Sequence, residues 1–436
     1  MTAVIAAVDS TYPPAVRAAA VAAPDSVLDD DTVRRVLIEG LGGGHSGERV
    51  LVVVPDHTRT APLPQIVATL NEVLRDAAAI HVLVALGTHP PLDDRSLVDL
   101  IGLDSIDATG RHPELTVGNH RWRADGELVT IGTIAADELA TIAGPVWHPS
   151  LGGDLPLRIN RAVLEHDQVI VVAPTFPHEV VGFSGGAKYF FPGVSGPEMI
   201  DVSHWLGALS GVVETIGRVD TPTRRLIDRA ASLIPTPITL VSMVVMGDAR
   251  LAGVFVGDLD PAWREAAALS ATRHVRVLTD PMGRVLSMAP PMYDELWTAA
   301  KAMYKLEPIL ADDAELVIFA PHLSVVSRVH GAELASVGYH VLPYFLGQWE
   351  RFADRSKAVL AHSTHVRGAG TYIDGVERPR VRVTLSSRVP ESECRALGLG
   401  YLDPGSVDMA EWADREDEGV LVVPRAGEVL YQLAGR

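Results

Sequence analysis

The sequence predicts an α/β protein with two Rossmann-like domains, mostly parallel sheets and an active-site cleft between the domains. Short β-branched runs of strand length alternate with helical stretches that have one apolar face, and the same pattern starts again in the C-terminal half. A chain of 436 residues is also too long for one ordinary core. We therefore expect an N-terminal domain over residues 1–270, possibly completed by 418–436, and a C-terminal domain over 271–417.

The first predicted unit is a strand, a helix and a second strand. Residues 49–55 (RVLVVVP) and 80–87 (IHVLVALG) are apolar runs of strand length, and residues 63–79 between them have a helical apolar stripe. The two strands of such a unit are parallel. The loops that follow them, DHTRT at 56–60 and GTHPP at 87–91, are therefore expected on one edge of the sheet, where open α/β folds bind ligands.

A third strand at 168–174 leads into the segment PTFPHEVVGFSGGAKYFFPGVSGPEMIDVSHW at 174–205. We expect this segment to reach the same edge of the sheet. The remaining predicted elements are a strand pair at 238–247 and 251–259, a helix near 294–306, a strand at 314–321, a helix near 345–361 and a tail strand at 419–424 that could pair with either domain.

Composition favours a small molecule as the partner. Fifty-five acidic and 37 basic side chains give a formal charge of −18, which repels nucleic acid and anionic membranes. The single cysteine, Cys394, excludes an intramolecular disulfide and a thiolate-rich metal site. No basic, apolar leader and no run long enough to cross a bilayer are present. We expect a cytoplasmic protein, and the sequence does not predict its oligomeric state.

The motif GFSGGAK contains the most reactive candidate, Lys188. Gly185 and Gly186 permit close backbone approach, and free N–H groups in such a turn can hold an anion. The motif is not a Walker A loop, because Tyr189 follows the lysine. An apolar setting would lower the pKa of Lys188 and prepare its amine for covalent attachment. The alternative is an ordinary surface lysine.

His204 is predicted to lie on a helix. Ser195 and Glu198 match a capping box, which predicts that the helix begins there. No second histidine follows His204 at the spacing that zinc sites on helices use. If His204 binds a metal, the other ligands must come from outside the protein.

Two histidines follow predicted strand ends beside proline. His89 and His178 are suited to general acid-base chemistry, since an imidazole titrates near neutral pH. Asp56 could cap the following helix or belong to a functional site, and Arg59 is suited to bind a carboxylate or a phosphate group. Each histidine taken alone is equally well an ordinary loop residue.

Three motifs occur together, namely PDHTRT, GTHPP and PHEVVGFSGGAKYFFPGV, and His204 follows Lys188 by sixteen residues. This combination resembles the nickel-pincer lactate racemase family. The resemblance spans residues 49 to about 350. It implies a pyridinium-3,5-bisthiocarboxylic acid mononucleotide that binds nickel and is attached covalently to Lys188, with His204 as the metal ligand. The cofactor-binding residues that it implies in the N-terminal domain are Lys188, Asp56, Thr58, Gly185 and Gly186.

The same resemblance implies an isomerase, namely a racemase or epimerase that inverts C2 of a 2-hydroxy acid by proton-coupled hydride transfer. His89 and His178 would form the acid-base pair, and Arg59 and Lys301 would hold and orient the substrate carboxylate. Cofactor-synthesis proteins would load the nickel-pincer nucleotide.

The substrate-binding residues that the resemblance implies are His57, Trp297, Thr298 and Trp349. Lactate-acting members have arginine at the position of His57 and a Tyr-Gln pair at the position of Trp297 and Thr298. A changed hydrogen-bonding partner alters which C3 group is recognised. The tether, metal-ligand and base positions are intact, so the chemistry is expected to be kept, whereas the sequence does not predict which 2-hydroxy acid is the substrate.

Two other functions are compatible with the residues. A zinc-dependent or phosphate-ester hydrolase would use His89, His178 and Asp56 as ligands. A non-catalytic protein would bind the pincer nucleotide or a hydroxy acid without reaction.

Overall fold

Two large β-sheets organise the protein, whose computed structural model describes residues 15–435. The strands are, in chain order, β1 (Val16–Val21), β2 (Arg49–Pro55), β3 (Ala79–Ala85), β4 (Leu115–Asn119), β5 (Leu128–Ile134), β6 (Leu155–Asn160), β7 (Gln168–Pro174), β8 (Pro177–His178), β9 (Gly182–Phe183), β10 (Ile238–Val245), β11 (Leu251–Gly257), β12 (Val275–Leu278), β13 (Met282–Met288), β14 (Leu310–Ala320), β15 (Gly370–Ile373), β16 (Val376–Pro379), β17 (Arg382–Ser387), β18 (Gly400–Tyr401), β19 (Val420–Val423) and β20 (Leu430–Leu433).

Helices connect these strands and cover the sheets. The α-helices are, in chain order, α1 (Asp30–Leu41), α2 (Leu63–Val73), α3 (Asp94–Ile101), α4 (Leu103–Thr109), α5 (Ala136–Ala143), α6 (Ala162–Glu165), α7 (Pro197–Ser210), α8 (Val212–Thr215), α9 (Pro222–Ala231), α10 (Leu259–Arg273), α11 (Leu296–Ala299), α12 (Lys301–Tyr304), α13 (Gly331–Val337), α14 (Leu342–Leu346), α15 (Trp349–Phe352), α16 (Lys357–Arg367) and α17 (Glu391–Ala396). Within residues 15–435, no helix is long and apolar enough to cross a membrane.

The first sheet has seven strands in the order β1-β11-β10-β7-β2-β3-β4. Strands β10, β7, β2, β3 and β4 are parallel to one another, whereas β11 runs antiparallel to both β10 and β1. The predicted unit of two parallel strands and a helix is confirmed, and its helix α2 ends at Val73, earlier than predicted. The predicted strand pair at 238–259 is also confirmed as β10 and β11.

Alternating side chains of β2 explain why this strand is apolar throughout. Val50, Val52 and Val54 pack into the core on one face of the sheet, and Leu51 and Val53 pack into the core on the other. A parallel strand that is covered on both faces carries no polar side. Its functional residues therefore come from the loop after its carboxyl end.

The second sheet has five parallel strands in the order β18-β17-β14-β13-β19. The tail strand that the sequence left open is β19, and it pairs with β13 in this sheet. Strand β20 pairs with β12 in a separate two-stranded ribbon. Both sheets are mostly parallel, as predicted, and the division of the chain into domains near residue 270 stays a prediction.

The helix predicted near 345–361 is wrong as a single element. The chain forms α14, α15 and α16 instead, and the Ser356 side chain caps α16 by accepting a hydrogen bond from Val359 N at 3.4 Å. The helix predicted near 294–306 is likewise divided, into α11 and α12 around Ala300.

Helix α16 is fixed against α7 by one carboxylate. Asp201 of α7 accepts hydrogen bonds from Ser356 Oγ at 2.8 Å and from Ala358 N at 2.9 Å. The start of α16 is thereby tied to the helix that carries His204.

Candidate active site

One pocket lies at the carboxyl ends of β2, β3 and β7, facing helices from the second half of the chain. Its cavity volume is about 100 Å³. The predicted meeting of three loops on this edge is confirmed. The polar residues that line the pocket are Asp56, Arg59, Thr88, His89, His178, Glu179, Ser184, Lys188, Tyr189, His204, Trp297, Thr298, Lys301, Tyr304, His362 and His365.

Asp56 orients His89. One carboxylate oxygen accepts hydrogen bonds from Thr58 N at 3.1 Å and from Thr58 Oγ1 at 2.8 Å, and the other accepts from His89 Nδ1. Burial disfavours the charged carboxylate, but His89 and Thr58 outweigh this effect and hold the pKa of Asp56 below its ordinary value. With Nδ1 engaged, the His89 nitrogen that is available to a ligand is Nε2.

His178 is buried and neutral. Its Nδ1 accepts a hydrogen bond from Val180 N at 3.2 Å, and its Nε2 lies 3.4 Å from Arg59 Nη2. Burial, followed by the nearby cations Lys188 and Arg59, holds the pKa of His178 well below its ordinary value. Such an imidazole is uncharged at neutral pH.

Lys188 points a reactive amine toward the pocket. It lies in a short 3₁₀ turn, Gly186–Tyr189, and keeps some exposure to the pocket although protein surrounds it closely. Burial, with a smaller contribution from Arg59, lowers the pKa of Lys188 to about 7. Close to half of such amines are uncharged, and therefore nucleophilic, at neutral pH.

The glycines before Lys188 serve packing. Gly185 and Gly186 both have positive φ, and a Cβ atom would lie 2.7 Å from Thr175 Oγ1 at Gly185 and 3.0 Å from Trp263 Cγ at Gly186. Neither glycine lines the pocket. The predicted contact of these glycines with a phosphate stays a prediction. Their close packing against Thr175 and Trp263 is a finding of the structure that the sequence alone did not show.

A buried arginine fixes the same turn from behind. Arg224 is 2% exposed, donates hydrogen bonds to the carbonyl oxygens of Phe183 and Gly185, and stacks 3.9 Å above the Trp263 ring. It also pairs with Asp228 at 3.6 Å. The backbone that presents Lys188 is thus held by a charged group on α9.

Replacing Arg224 by Met is expected to lower the free energy of unfolding by about 3 kcal/mol, because buried carbonyl oxygens at Phe183 and Gly185 lose their donor. Chemical denaturation at pH 7 measures this change. Arg225→Met is the matched control, since the Arg225 side chain is 53% exposed and pairs with Asp220 at the surface; we expect less than about 0.5 kcal/mol. Equal losses in the two variants would contradict the assignment.

His204 lies on α7 as predicted, but the capping box is wrong. The helix cap is Gly196, Ser195 Oγ instead donates to the Pro192 carbonyl oxygen at 3.4 Å, and Glu198 pairs with Arg158. The physical reason is that the Glu198 carboxylate finds a stronger, charged partner outside its own helix.

The ring of His204 is fixed by its own helix. Its Nδ1 donates to the Ile200 carbonyl oxygen at 2.7 Å, which leaves Nε2 as the nitrogen with a lone pair. Burial is the largest cause that lowers its pKa to about 4. The imidazole is thus held neutral and oriented, as a metal ligand requires.

The second half of the chain contributes Lys301, Trp297 and Thr298. Lys301 is 4% exposed, and its Nζ has no hydrogen-bond partner within residues 15–435. Burial holds the pKa of Lys301 well below its ordinary value. The Trp297 indole donates to Thr88 Oγ1 at 3.3 Å, next to His89. The Thr298 hydroxyl donates to Glu295 O at 3.0 Å and keeps its lone pairs.

Besides Gly185 and Gly186, three more predicted site residues do not line the pocket. His57 is exposed, because it occupies the turn beyond Asp56. Trp349 stacks on Trp205 with ring centres 5.4 Å apart. Thr58 is turned toward Asp56 and donates to its carboxylate. The predicted substrate contacts of His57 and Trp349 stay predictions.

Sequence reasoning missed seven of the polar residues that line the pocket, namely Thr88, Glu179, Ser184, Tyr189, Tyr304, His362 and His365. Glu179 directly follows His178, and the two later histidines are three residues apart, but these signals are weak without the structure. Within residues 15–435, no group of three or more His, Cys, Asp or Glu side chains could hold a metal ion.

Comparison with known proteins agrees with the observed fold. Residues 32–148 and 150–215 match the lactate racemase N-terminal domain. The lactate racemase of Lactiplantibacillus plantarum is 26% identical over 255 residues, which cover 55% of this chain and 53% of that protein. The lactate racemase of Thermoanaerobacterium thermosaccharolyticum is 24% identical over 188 residues, which cover 41% of this chain and 39% of that protein.

Solved structures share the architecture over nearly the whole chain. A crystal structure of a protein from Thermotoga maritima has a TM-score of 0.85 and 28% identity, and the match covers 94% of this chain and 100% of that chain. The lactate racemase apoprotein of Thermoanaerobacterium thermosaccharolyticum shows the same fold, with a TM-score of 0.69, 17% identity and 92% coverage of each chain. By sequence, the chain spans about half the length of the curated relatives or less. Residues 32–148 and 150–215 are thus similar to the lactate racemase N-terminal domain, and the chain as a whole shares the fold of these solved structures.

Proposed function

We propose that this protein is an isomerase, a racemase or epimerase that inverts the configuration at C2 of a 2-hydroxy acid. One observation supports the proposal above all others: a single pocket brings together His89, His178, Lys188 and His204. The relatives named lactate racemase support the reaction class.

The pocket fits a nickel-pincer nucleotide attached to Lys188. This lysine offers an amine with a pKa of about 7, and His204 offers one oriented imidazole. The only cysteine, Cys394, is buried and does not line the pocket, so soft sulfur donors to nickel would come from the cofactor. When bound, the cofactor would supply an acceptor for the hydrogen that leaves C2.

Arg59 and Lys301 would bind the substrate carboxylate. Both line the pocket, and the buried Lys301 amine, which lies 4.6 Å from the centre of the Tyr293 ring, has no hydrogen-bond partner within residues 15–435. A carboxylate beside this amine would stabilise its ammonium form and raise its lowered pKa. Substrate binding would therefore give the amine a hydrogen-bond partner, and would also orient C2.

His89 and His178 would hold the proton of the C2 hydroxyl. Inversion requires a base that accepts this proton on one side of the reaction and an acid that returns it on the other. Asp56 orients His89 through its Nδ1, whereas burial and nearby cations hold the pKa of His178 well below its ordinary value and keep this imidazole neutral.

The alternative functions make different use of the same residues. A hydrolase with Asp56 as a metal ligand would need a carboxylate that Thr58 and His89 already engage. A non-catalytic binding protein would carry the Lys188 adduct but would not exchange the configuration at C2.

The proposal is tested on protein produced together with the cofactor-synthesis proteins that would load it. Intact mass spectrometry and metal analysis are expected to show nickel and a mass increase on the peptide that contains Lys188. The loaded protein is expected to convert one enantiomer of a 2-hydroxy acid into a mixture of both. Zinc without an organic adduct would favour the hydrolase, and an adduct without inversion would favour the binding protein.

Replacing Asp56 by Asn is expected to lower kcat for inversion by about 100-fold or more, because an amide that donates to Nδ1 favours the wrong tautomer of His89. Nickel content and the Lys188 adduct should remain, and chiral chromatography measures the rate. Asp93→Asn is the control, since Asp93 only caps a surface helix. Full activity of the Asp56 variant would reject its orienting role.

A further inference from the structure

Helix α16 brings two histidines to the pocket that the proposed reaction does not use. His362 and His365 are three residues apart and share one face of the helix. They are 7% and 4% exposed, and both line the pocket. The Ser363 hydroxyl between them donates to the Gly338 carbonyl oxygen at 2.7 Å and is satisfied within the protein. The imidazoles are thus the polar groups that α16 presents to the pocket.

Each of these imidazoles keeps a buried nitrogen without a partner. His362 Nε2 donates to the Trp297 carbonyl oxygen at 3.1 Å, so Nδ1 is an acceptor, and no residue of the described chain donates to it. His365 Nε2 is also buried and unpaired within residues 15–435. Buried polar atoms in folded proteins are nearly always paired. Two orphaned nitrogens on residues that line a pocket are therefore candidates for hydrogen bonds to polar groups of a ligand.

The charges around the pair disfavour a second carboxylate on the ligand. The Glu179 carboxylate raises the pKa of His365. The imidazoles of His365, His330 and His204 lower the pKa of His362. Burial is the main cause that lowers the pKa of His362 to about 3 and of His365 to about 4, so both rings are neutral. A second carboxylate here would lie near Glu179 and would compete with it for the cations Arg59 and Lys305, which already act on the Glu179 carboxylate.

An alkyl group would leave both nitrogens unpaired, whereas a hydroxyl group can donate to a bare ring nitrogen and accept from a ring N–H. We infer that His362 and His365 recognise hydroxyl groups beyond C2, so that the substrate is a polyhydroxylated 2-hydroxy acid. This inference rests on the proposed function and names its substrate class. The two histidines are specificity-determining residues in this assignment, and Thr298 lines the same pocket.

The test uses cofactor-loaded enzyme and substrates that differ only in their hydroxyl groups. Lactate is compared with glycerate, and 2-hydroxybutanoate with 2,3,4-trihydroxybutanoate, by kcat/KM for inversion at C2. We expect the wild type to favour the hydroxylated member of each pair by at least about tenfold. His362→Phe and His365→Phe should bring this ratio near one, with nickel and the Lys188 adduct unchanged.

Two further variants separate recognition from structural support. His365→Gln keeps a polar terminus and is expected to retain part of the preference. Ser363→Ala is the matched control on the same helix, because its hydroxyl bonds to Gly338 rather than to the ligand, and should keep the wild-type ratio. A structural role alone would lower both rates and leave their ratio unchanged.

The inference would be overturned if the wild type preferred the alkyl acids, or if both Phe variants kept the wild-type ratio of kcat/KM for hydroxylated over alkyl acids. Loss of cofactor from the Phe variants would also overturn it, because the imidazoles would then be assigned to cofactor binding. Inversion of lactate without inversion of hydroxylated acids would reject the inference and keep the proposed function. A loaded enzyme that inverts neither class would reject the proposed function itself.

Discussion

Replacing Lys188 by Arg is expected to give a folded protein that carries no covalent cofactor and shows no measurable inversion. A guanidinium stays charged at neutral pH and cannot act as the nucleophile that the amine provides. Glu179 and Asp56 favour a positive charge at this position and offset part of the repulsion from Arg59. Intact mass spectrometry should show only the mass of the polypeptide, and chiral chromatography should show one unchanged enantiomer.

The matched control is Lys357→Met, which removes a lysine that donates to the Leu151 carbonyl oxygen outside the pocket. This variant should keep the adduct. Labelling of cofactor-free wild type supplies a second measurement. Since burial lowers the pKa of Lys188 to about 7, its uncharged form increases as the pH rises through 7, and acylation of its peptide should increase from pH 6 to 8. A stable adduct in the Lys188→Arg protein would refute the tether.

Replacing His89 or His178 by Ala is expected to lower kcat/KM for inversion by about 10³-fold in each case, because each variant lacks one of the two proton carriers. Nickel and the Lys188 adduct should remain, since the proposed attachment and metal ligation use Lys188 and His204. The rate of inversion is measured separately from each enantiomer.

His45→Gln is the control for loss of an imidazole, because His45 pairs with Glu48 away from the pocket. We expect its rate to equal that of the wild type. Inversion at the wild-type rate in both alanine variants would refute the acid-base pair. Loss of nickel from either variant would instead assign that histidine to cofactor binding.

Much of the N-terminal half was predictable because its signals are local. The β-branched run at 49–55 and the apolar stripe after it determine a strand and a helix, and the handedness of the connection makes the next strand parallel. Parallel strands place the residues after their carboxyl ends on one edge. Asp56, His89 and His178 therefore meet, as the sequence predicted.

Local patterns predicted the C-terminal half less well. The run near 345–361 contains apolar residues at helical spacing, yet the chain breaks it into α14, α15 and α16. Ser356 starts a new helix there, and its hydroxyl is shared with Asp201, which is distant in the sequence. A partner so far along the chain leaves no periodic signal.

By itself, the sequence determined the α/β class, the edge of the first sheet that carries the site and the residues that follow those strands. Only the tertiary structure decided which side chains share the pocket: it added Glu179, His362 and His365, and it turned Trp349 against Trp205. The reason is physical. Backbone preferences and hydrophobic periodicity act over a few residues, whereas the direction in which a side chain points depends on packing between segments that are hundreds of residues apart.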